Sequence, residues 1–456
     1  MNDKNSKIYF YGGAGTVTGA NFLLETEGKK ILVDCGLVQG VKFCDDCNYD
    51  PFPYDPKDID ALVVTHGHTD HIGRIPRLVH FGFSGPIYST HPTKDIAEVM
   101  YEDALSLMKS EQREKGKEPL YNSQDISNAL ALWKTSDYHE SFEIIPGVVM
   151  EFFDAGHILG SAMVEFKKDG KKLLFTGDLG NSPAPIVKNT ESVEDIQYLV
   201  MESVYGDRNH EDVKNRSELL KHIIEETRDK NGTLLIPAFS LQRTQTLLFE
   251  INKMIEDKEI EPIDVYLDTP LGIRIIDIYR KYPKHFNERI KGRVDAGDDP
   301  FDFTGLTLTP KSSDSRKIAT SANPKVIIAG SGMSHGGRIR AHEIRFLGDK
   351  KTTLLFVGYQ SVGSLGRRLQ EGQKKVRIDD EWVRVRAEIR SVSGYSAHKE
   401  MDQLIDFVEQ TADSLKHVFV AMGEPKSSLF LAQRLRDFLG VKATVPEAGA
   451  VHTIDW

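Results

Sequence analysis

Between His66 and His71 the chain sets three imidazoles and one carboxylate, in the run Thr65-His66-Gly67-His68-Thr69-Asp70-His71. The run directly follows Ala61-Leu62-Val63-Val64, which reads as a buried strand. A strand that ends in ligand-type side chains holds them at its tip on a rigid base. The pattern suits two metal ions, with His66 and His68 facing one and Asp70 and His71 facing the other. Imidazole and carboxylate together favour zinc, with manganese or iron as alternatives. A polar turn with exposed histidines is the bland alternative, and this density of ligand types weighs against it.

One short run holds too few ligands for two ions. Three further apolar runs have the same construction. Lys30-Ile31-Leu32-Val33 runs into Asp34. Val148-Val149-Met150-Glu151-Phe152-Phe153 leads through Asp154-Ala155-Gly156 to His157. Lys172-Leu173-Leu174-Phe175-Thr176-Gly177 ends at Asp178. Asp after a strand is ordinarily a turn residue, and a lone His is ordinarily structural. The order and spacing of all four segments carry the signal.

With these motifs the chain resembles the metallo-β-lactamase superfamily. The resemblance implies a first metal held by His66, His68 and His157 and a second held by Asp70 and His71. Asp178 would bridge the two ions, and Asp34 would orient a ligand histidine from behind. The later sequence resembles the β-CASP nucleases within that superfamily. Leu199-Val200-Met201-Glu202-Ser203-Val204-Tyr205-Gly206-Asp207-Arg208 is similar to the motif that opens their inserted domain. Ile236-Pro237-Ala238-Phe239-Ser240-Leu241-Gln242-Arg243, Ser331-Gly332-Met333-Ser334-His335-Gly336-Gly337-Arg338, Val357-Gly358-Tyr359-Gln360 and Gly394-Tyr395-Ser396-Ala397-His398 are similar to others. The fold this implies is α/β, an αββα metallo-β-lactamase sandwich with an inserted α/β β-CASP domain. The expected boundaries are 1–204 and 374–456 for the sandwich and 205–373 for the insertion.

One departure stands out. The family's further strand ends in His-Gly-Glu, and that histidine ligates the second metal. Here the stretch is Val418-Phe419-Val420-Ala421-Met422-Gly423-Glu424. A neutral thioether is a poor partner for a hard, hydroxide-bearing ion. Two Zn2+ sites are therefore expected, the second weakened by Met422, with Mn2+ as the alternative. His452, near the C-terminus, is a candidate to close that gap. His80, His139 and His335 read as structural.

The 456 residues are 39% hydrophobic, ample for globular cores, and the formal net charge of −10 argues against a protein that coats nucleic acid with a basic surface. It does not exclude a nuclease, because two divalent ions would invert the local potential. Cys44 and Cys47 form one C-x-x-C without a second pair, and with Cys35 they read as reduced thiols of a cytoplasmic protein. No signal peptide or membrane-spanning stretch is expected. Gly12-Gly13-Ala14-Gly15 reads as a tight turn, since it lacks the ending of a phosphate-binding loop. Residues 92–137 read as helical, with Thr93 as N-cap, and strands resume at 142. Strands and helices alternate from 205 to 373. Strands near 383–389, a helix near 399–409 and the strand before Met422 return the chain to the first domain.

The resemblance implies a phosphodiesterase acting on RNA between two domains. The metals would supply hydroxide, His398 would protonate the leaving oxygen as general acid, and Glu202 would hold His398 protonated. Asp70, Glu202 and His398 are the expected catalytic residues. Arg243, Arg338 and the backbone of Ser331 and Gly332 are candidates to bind the RNA. The rivals are a DNA nuclease, a small-substrate hydrolase of the same fold, and an RNA-binding subunit with a weakened site. No membrane partner is expected, and the reading leaves a homodimer open.

Overall fold

The computed structural model describes residues 6–39, 46–210, 215–361, 363–392 and 394–456. By contacts the chain divides into two units, Met1–Asn209 with His398–Trp456, and His210–Ala397.

The first unit is built on two seven-stranded sheets. In one, Val451–Ile454 lies beside Ser6–Gly12, followed by Asn21–Thr26, Lys29–Val33, Ala61–Val63, Ile87–Thr90 and Trp133–Ser136. In the other, Ala443–Thr444 and His417–Val420 precede Tyr198–Met201, Lys171–Phe175, Ala162–Lys168, Val148–Asp154 and Phe142–Ile145. Side chains alternate across each strand. In Val148–Asp154, Val148, Met150 and Phe152 enter the inter-sheet core, while Phe153 packs on the opposite face. Phe10, Phe22, Phe166, Phe175 and Phe419 from both sheets fill that core.

Helices cover the two outer faces. His91–Lys115 lays Ala97, Tyr101 and Leu105 on the first sheet. Met401–Glu409 and Pro425–Leu439 lay Leu404, Phe407, Leu431 and Leu435 on the second. The result is the four-layer αββα sandwich that the motifs imply. No helix among the described residues is long and apolar enough to cross a membrane.

The second unit has six parallel strands in the order Leu306–Leu308, Asp264–Asp268, Lys325–Ala329, Thr233–Pro237, Thr352–Phe356 and Glu388–Ser391. A two-stranded hairpin, Lys375–Ile378 with Glu381–Arg384, adds to it.

Several local expectations shift. The expected helical region 92–137 is two helices, His91–Lys115 and Ser123–Ala131, and then the strand Trp133–Ser136. Its first N-cap is Thr90 rather than Thr93. The strands near 383–389 belong to the second unit, because Glu388–Ser391 pairs in parallel with Thr353–Phe356. The chain thus returns at His398, not near 374. Cys35 is buried as a free thiol and Cys47 is half-buried, while Cys44 lies outside the described residues.

Phe419 is fully buried, with its ring centroid 5.5 Å from Phe10 and 4.2 Å from His417. Phe419→Ala leaves a cavity that neither sheet can close. It should cost about 3–5 kcal/mol of unfolding free energy, measured by urea denaturation of the first unit's transition.

Candidate metal and catalytic centre

All the ligand-type side chains singled out around His66 lie in the first unit. His66 follows the strand Ala61–Val63, and His68 caps the one-turn helix Thr69–Ile72 that carries Asp70 and His71. His157 follows Gly156, whose φ of +67° turns the chain back after Val148–Asp154. Asp178 follows Gly177, with φ of +54°, where a Cβ would strike the Thr65 side chain.

His66, His68, His157 and Asp178 each present one donor atom, all within 4.8 Å of one another. His66 Nε2 is 3.0 Å from His68 Nδ1, and His157 Nε2 is 3.3 Å from it. Asp178 Oδ2 lies 3.5 Å from His66 Nε2 and 3.6 Å from His157 Nε2. Four donors placed tetrahedrally about 2.1 Å from one ion would stand about 3.4 Å apart. The cluster has that spacing, and the residues fit a small divalent cation.

A second donor group faces the other carboxylate oxygen. Asp178 Oδ1 is 3.4 Å from His71 Nε2, which is 4.0 Å from Asp70 Oδ2. Among the described residues, both Asp178 Oδ1 and His71 Nε2 are buried without a hydrogen-bond partner. Such atoms are costly unless something satisfies them, and a cation between them would do so. Asp178 therefore offers one oxygen to each group.

Asp34 stands behind the histidines, on a residue with φ of +59°. Its Oδ2 accepts from His71 Nδ1 at 2.7 Å and from Thr65 Oγ1 at 2.8 Å, and its Oδ1 accepts from the Thr65 amide. With Nδ1–H donated to Asp34, the Nε2 lone pair of His71 would be left for a cation. Thr65, which the motifs alone do not single out, completes this support. Only its place immediately before His66 hinted at it.

The charges are interlocked. Burial lowers the pKa of His66 well below the usual value, helped by the charge of His71. Burial also works against a charged His71, but the Asp178 and Asp34 carboxylates overcome it and raise its pKa strongly. Burial opposes ionisation of Asp178, yet His71 and His66 hold its pKa far below the usual range. Burial raises Asp70 to about 6, against the charge of His71. Three carboxylates around four imidazoles thus favour positive charge at their centre.

His398 stands at the same place, its Nδ1 3.2 Å from Glu202 Oε1 and 3.9 Å from Asp178 Oδ2. Its ring centroid is 4.6 Å from that of His157. A bridge between Gly180 and His398, and the Lys399 amide on Leu179 O, tie this return of the chain to the Asp178 loop. Burial would lower the pKa of His398, but Glu202, by charge and hydrogen bond, raises it to about 9. Glu202 also accepts from the Leu179 amide. Lys399 belongs to none of the motifs. Burial lowers it to about 8, against the charges of Glu202 and Asp406.

Other candidates are engaged elsewhere. His452 packs into the aromatic cluster, edge-on to Phe10 at 5.6 Å and tilted against Phe419 at 4.9 Å, and is in neither compact donor group. Met422, with φ of +44°, is buried in the inter-sheet core, and its amide donates to Gly13 O. A cavity of about 10 Å3 lies among Met422, His71, Thr65 and Glu202. In the second unit, the Arg338 guanidinium is taken up by Asp268 at 2.7 Å and by the carbonyls of Thr309 and Pro310. Arg243 donates to Val357 O. The Ser331 amide donates to Gly336 O, and Gly332 O accepts from Gln360. The partners named are protein groups, and Arg338 above all is engaged in an internal ion pair.

Residues 14–195 match the metallo-beta-lactamase superfamily, 244–369 the Beta-Casp domain, and 382–446 the Zn-dependent metallo-hydrolase RNA specificity domain. The chain is 32% identical to ribonuclease TTHA0252 of Thermus thermophilus, over 94% of this chain and 96% of that protein. The chain belongs to the β-CASP branch of the metallo-β-lactamase superfamily. Within that branch it is 31% identical to an RNase J-like protein of Methanocaldococcus jannaschii, over 98% and 99% of the two chains. It is also 31% identical to the transcription termination factor FttA of Methanosarcina mazei, over 94% of this chain and 69% of that protein. A solved structure, a protein of unknown function from Enterococcus faecalis, shares the fold with a TM-score of 0.57 at 12% identity, over 99% of this chain and 100% of its own.

Family membership makes a divalent metal the group these donors would hold. Asp34→Asn should weaken metal retention ~10–100-fold, because His71 loses the partner that orients it. Competition with a chelator, followed by elemental analysis, reads this directly, and an unchanged far-ultraviolet spectrum excludes unfolding.

Proposed function

We propose that the chain is a ribonuclease that hydrolyses single-stranded RNA, with zinc held by His66, His68, His157 and Asp178. The observation that carries this reading is the juxtaposition of that donor set with the His398–Glu202 pair across one carboxylate, Asp178. A second ion would sit between Asp70, His71 and Asp178. Bound divalent ions lower the pKa of water and offset charge on the phosphate.

The chain's own groups supply the rest. Glu202 holds the Nδ1 proton of His398, which leaves the Nε2 proton as the one to give to the departing ribose oxygen. That alkoxide is a poor leaving group, so its protonation matters. Asp34 and Thr65 fix the histidines so that the site is formed before RNA arrives. The relatives named as ribonucleases support RNA as substrate. End-labelled RNA and DNA of one unstructured sequence, assayed with the metal-loaded protein, test it. Cleavage of DNA with RNA untouched would overturn the reading.

His398→Ala should retain metal and lose ~10²–10⁴-fold in turnover on RNA. A nitrophenyl phosphodiester, whose leaving group needs no proton, should lose far less. Because Glu202 raises the pKa of His398, the protonated acid is present below that pKa and is lost as pH rises through it. Glu202→Gln should therefore move the alkaline limb of the RNA rate profile to lower pH.

The two sites should differ in affinity. The first has four donors, whereas the second has three, with the Met422 thioether lining the adjoining cavity. Titrating metal-free protein should fill the first site at lower metal concentration, and Met422→His should tighten the second. Two equally tight sites, unchanged by Met422→His, would show that the methionine only packs.

A further inference from the structure

The hairpin Lys375–Ile378 and Glu381–Arg384 has two unlike faces. Val376, Ile378, Val383 and Val385 turn into the second unit's core. Lys375, Arg377, Trp382, Arg384 and Arg386 alternate with them and are exposed. Trp382 is 64% exposed, the most of any large hydrophobic side chain described. The Lys375 ammonium lies 4.9 Å from the centroid of its ring.

This face borders an open groove of about 340 Å3, floored by Ile344 and Gly348 and lined by Trp382, Arg384 and Arg386, with Glu381 also on it. The acids of the hairpin turn are already paired. Asp379 meets Arg340 at 2.8 Å, and Asp380 meets Arg377 at 3.1 Å. Among the described residues, the Arg384 and Arg386 guanidinium groups make no ion pair or hydrogen bond. In a chain of net charge −10, unneutralised cations beside an exposed indole are a local reversal of sign.

We propose that this hairpin face is a second binding surface for single-stranded RNA, which stacks a base on Trp382 and sets flanking phosphates on Arg384 and Arg386. The inference rests on the ribonuclease reading and extends it to substrate capture. An exposed aromatic flanked by cations suits a strand whose bases are unpaired, since every base offers a face to stack on. The planar guanidinium forks suit phosphate oxygens. A protein surface is the other occupant that Trp and Arg side chains would suit, but the cations around Trp382, the one large exposed hydrophobic side chain on this hairpin, favour a polyanion.

The test compares wild type with Trp382→Ala and with the double variant Arg384→Ala/Arg386→Ala, all metal-loaded. The altered side chains are exposed, so the hairpin's apolar face is retained. On an unstructured RNA of ~30 nucleotides, Trp382→Ala should raise KM about 5–50-fold with kcat unchanged. Hydrolysis of a trinucleotide and of a nitrophenyl phosphodiester should be unaffected. The double variant should lower the slope of log KM against log salt by about 1.4, because two phosphates of a single strand are no longer neutralised. Photocrosslinking of 5-iodouridine RNA should place an adduct on Trp382. Unchanged KM in both variants, equal losses on long and short substrates, or no adduct on the hairpin would each overturn the proposal. If the wild type hydrolyses the nitrophenyl ester but cuts no RNA, the ribonuclease reading fails instead. The crosslink then still decides whether the hairpin binds RNA.

Discussion

Asp178 is the carboxylate on which the centre depends. One oxygen faces His66 and His157, the other faces His71, and His398 approaches from the side. A buried carboxylate is tolerable only when opposite charge surrounds it. Here His71 and His398, whose pKa values are raised, provide part of that charge, and a cation would provide more. The same atom set therefore solves a stability problem and defines where positive charge must reside. Asp34 repeats the device one layer deeper, where its hydrogen bonds fix the tautomer of His71 and anchor Thr65.

The support for these groups comes from backbone turns at strand tips. Asp34, Gly177 and Met422 all have positive φ. Left-handed backbone costs non-glycine residues on the order of 1 kcal/mol, and the packed sandwich absorbs that cost. The inter-sheet aromatic core thus does two things. It stabilises the unit, and it holds three strand ends in conformations a looser scaffold would release.

The donors were legible because each ends an apolar run, so sequence spacing reported spatial convergence. The αββα layering was implied by the resemblance to the superfamily, and the period-two burial in Val148–Asp154 and the helical stripe in His91–Lys115 agree with it. Partnership was not legible. Arg338 was a candidate for phosphate from its setting beside glycines, but its ion-pair partner Asp268 lies 70 residues earlier, at the end of the strand Asp264–Asp268. His452 looked available for a metal, but Phe10 and Phe419 enclose it from both ends of the chain. The point of return was misread because Glu388–Ser391 resembles any short strand, and only its register with Thr353–Phe356 assigns it. Lys399 carried no pattern at all, since its environment is made by Glu202 and Asp406.

The chain order has a consequence for synthesis. The cation donors and Glu202 are all made before residue 209, whereas His398 and the strands His417–Val420 and Val451–Ile454 follow the whole of the second unit. A nascent chain therefore carries donors for cations long before it carries the imidazole beside Glu202, and both sheets of the first unit wait for strands from its end. On the reading of His398 as proton donor, cutting power arrives only after the second unit has been made.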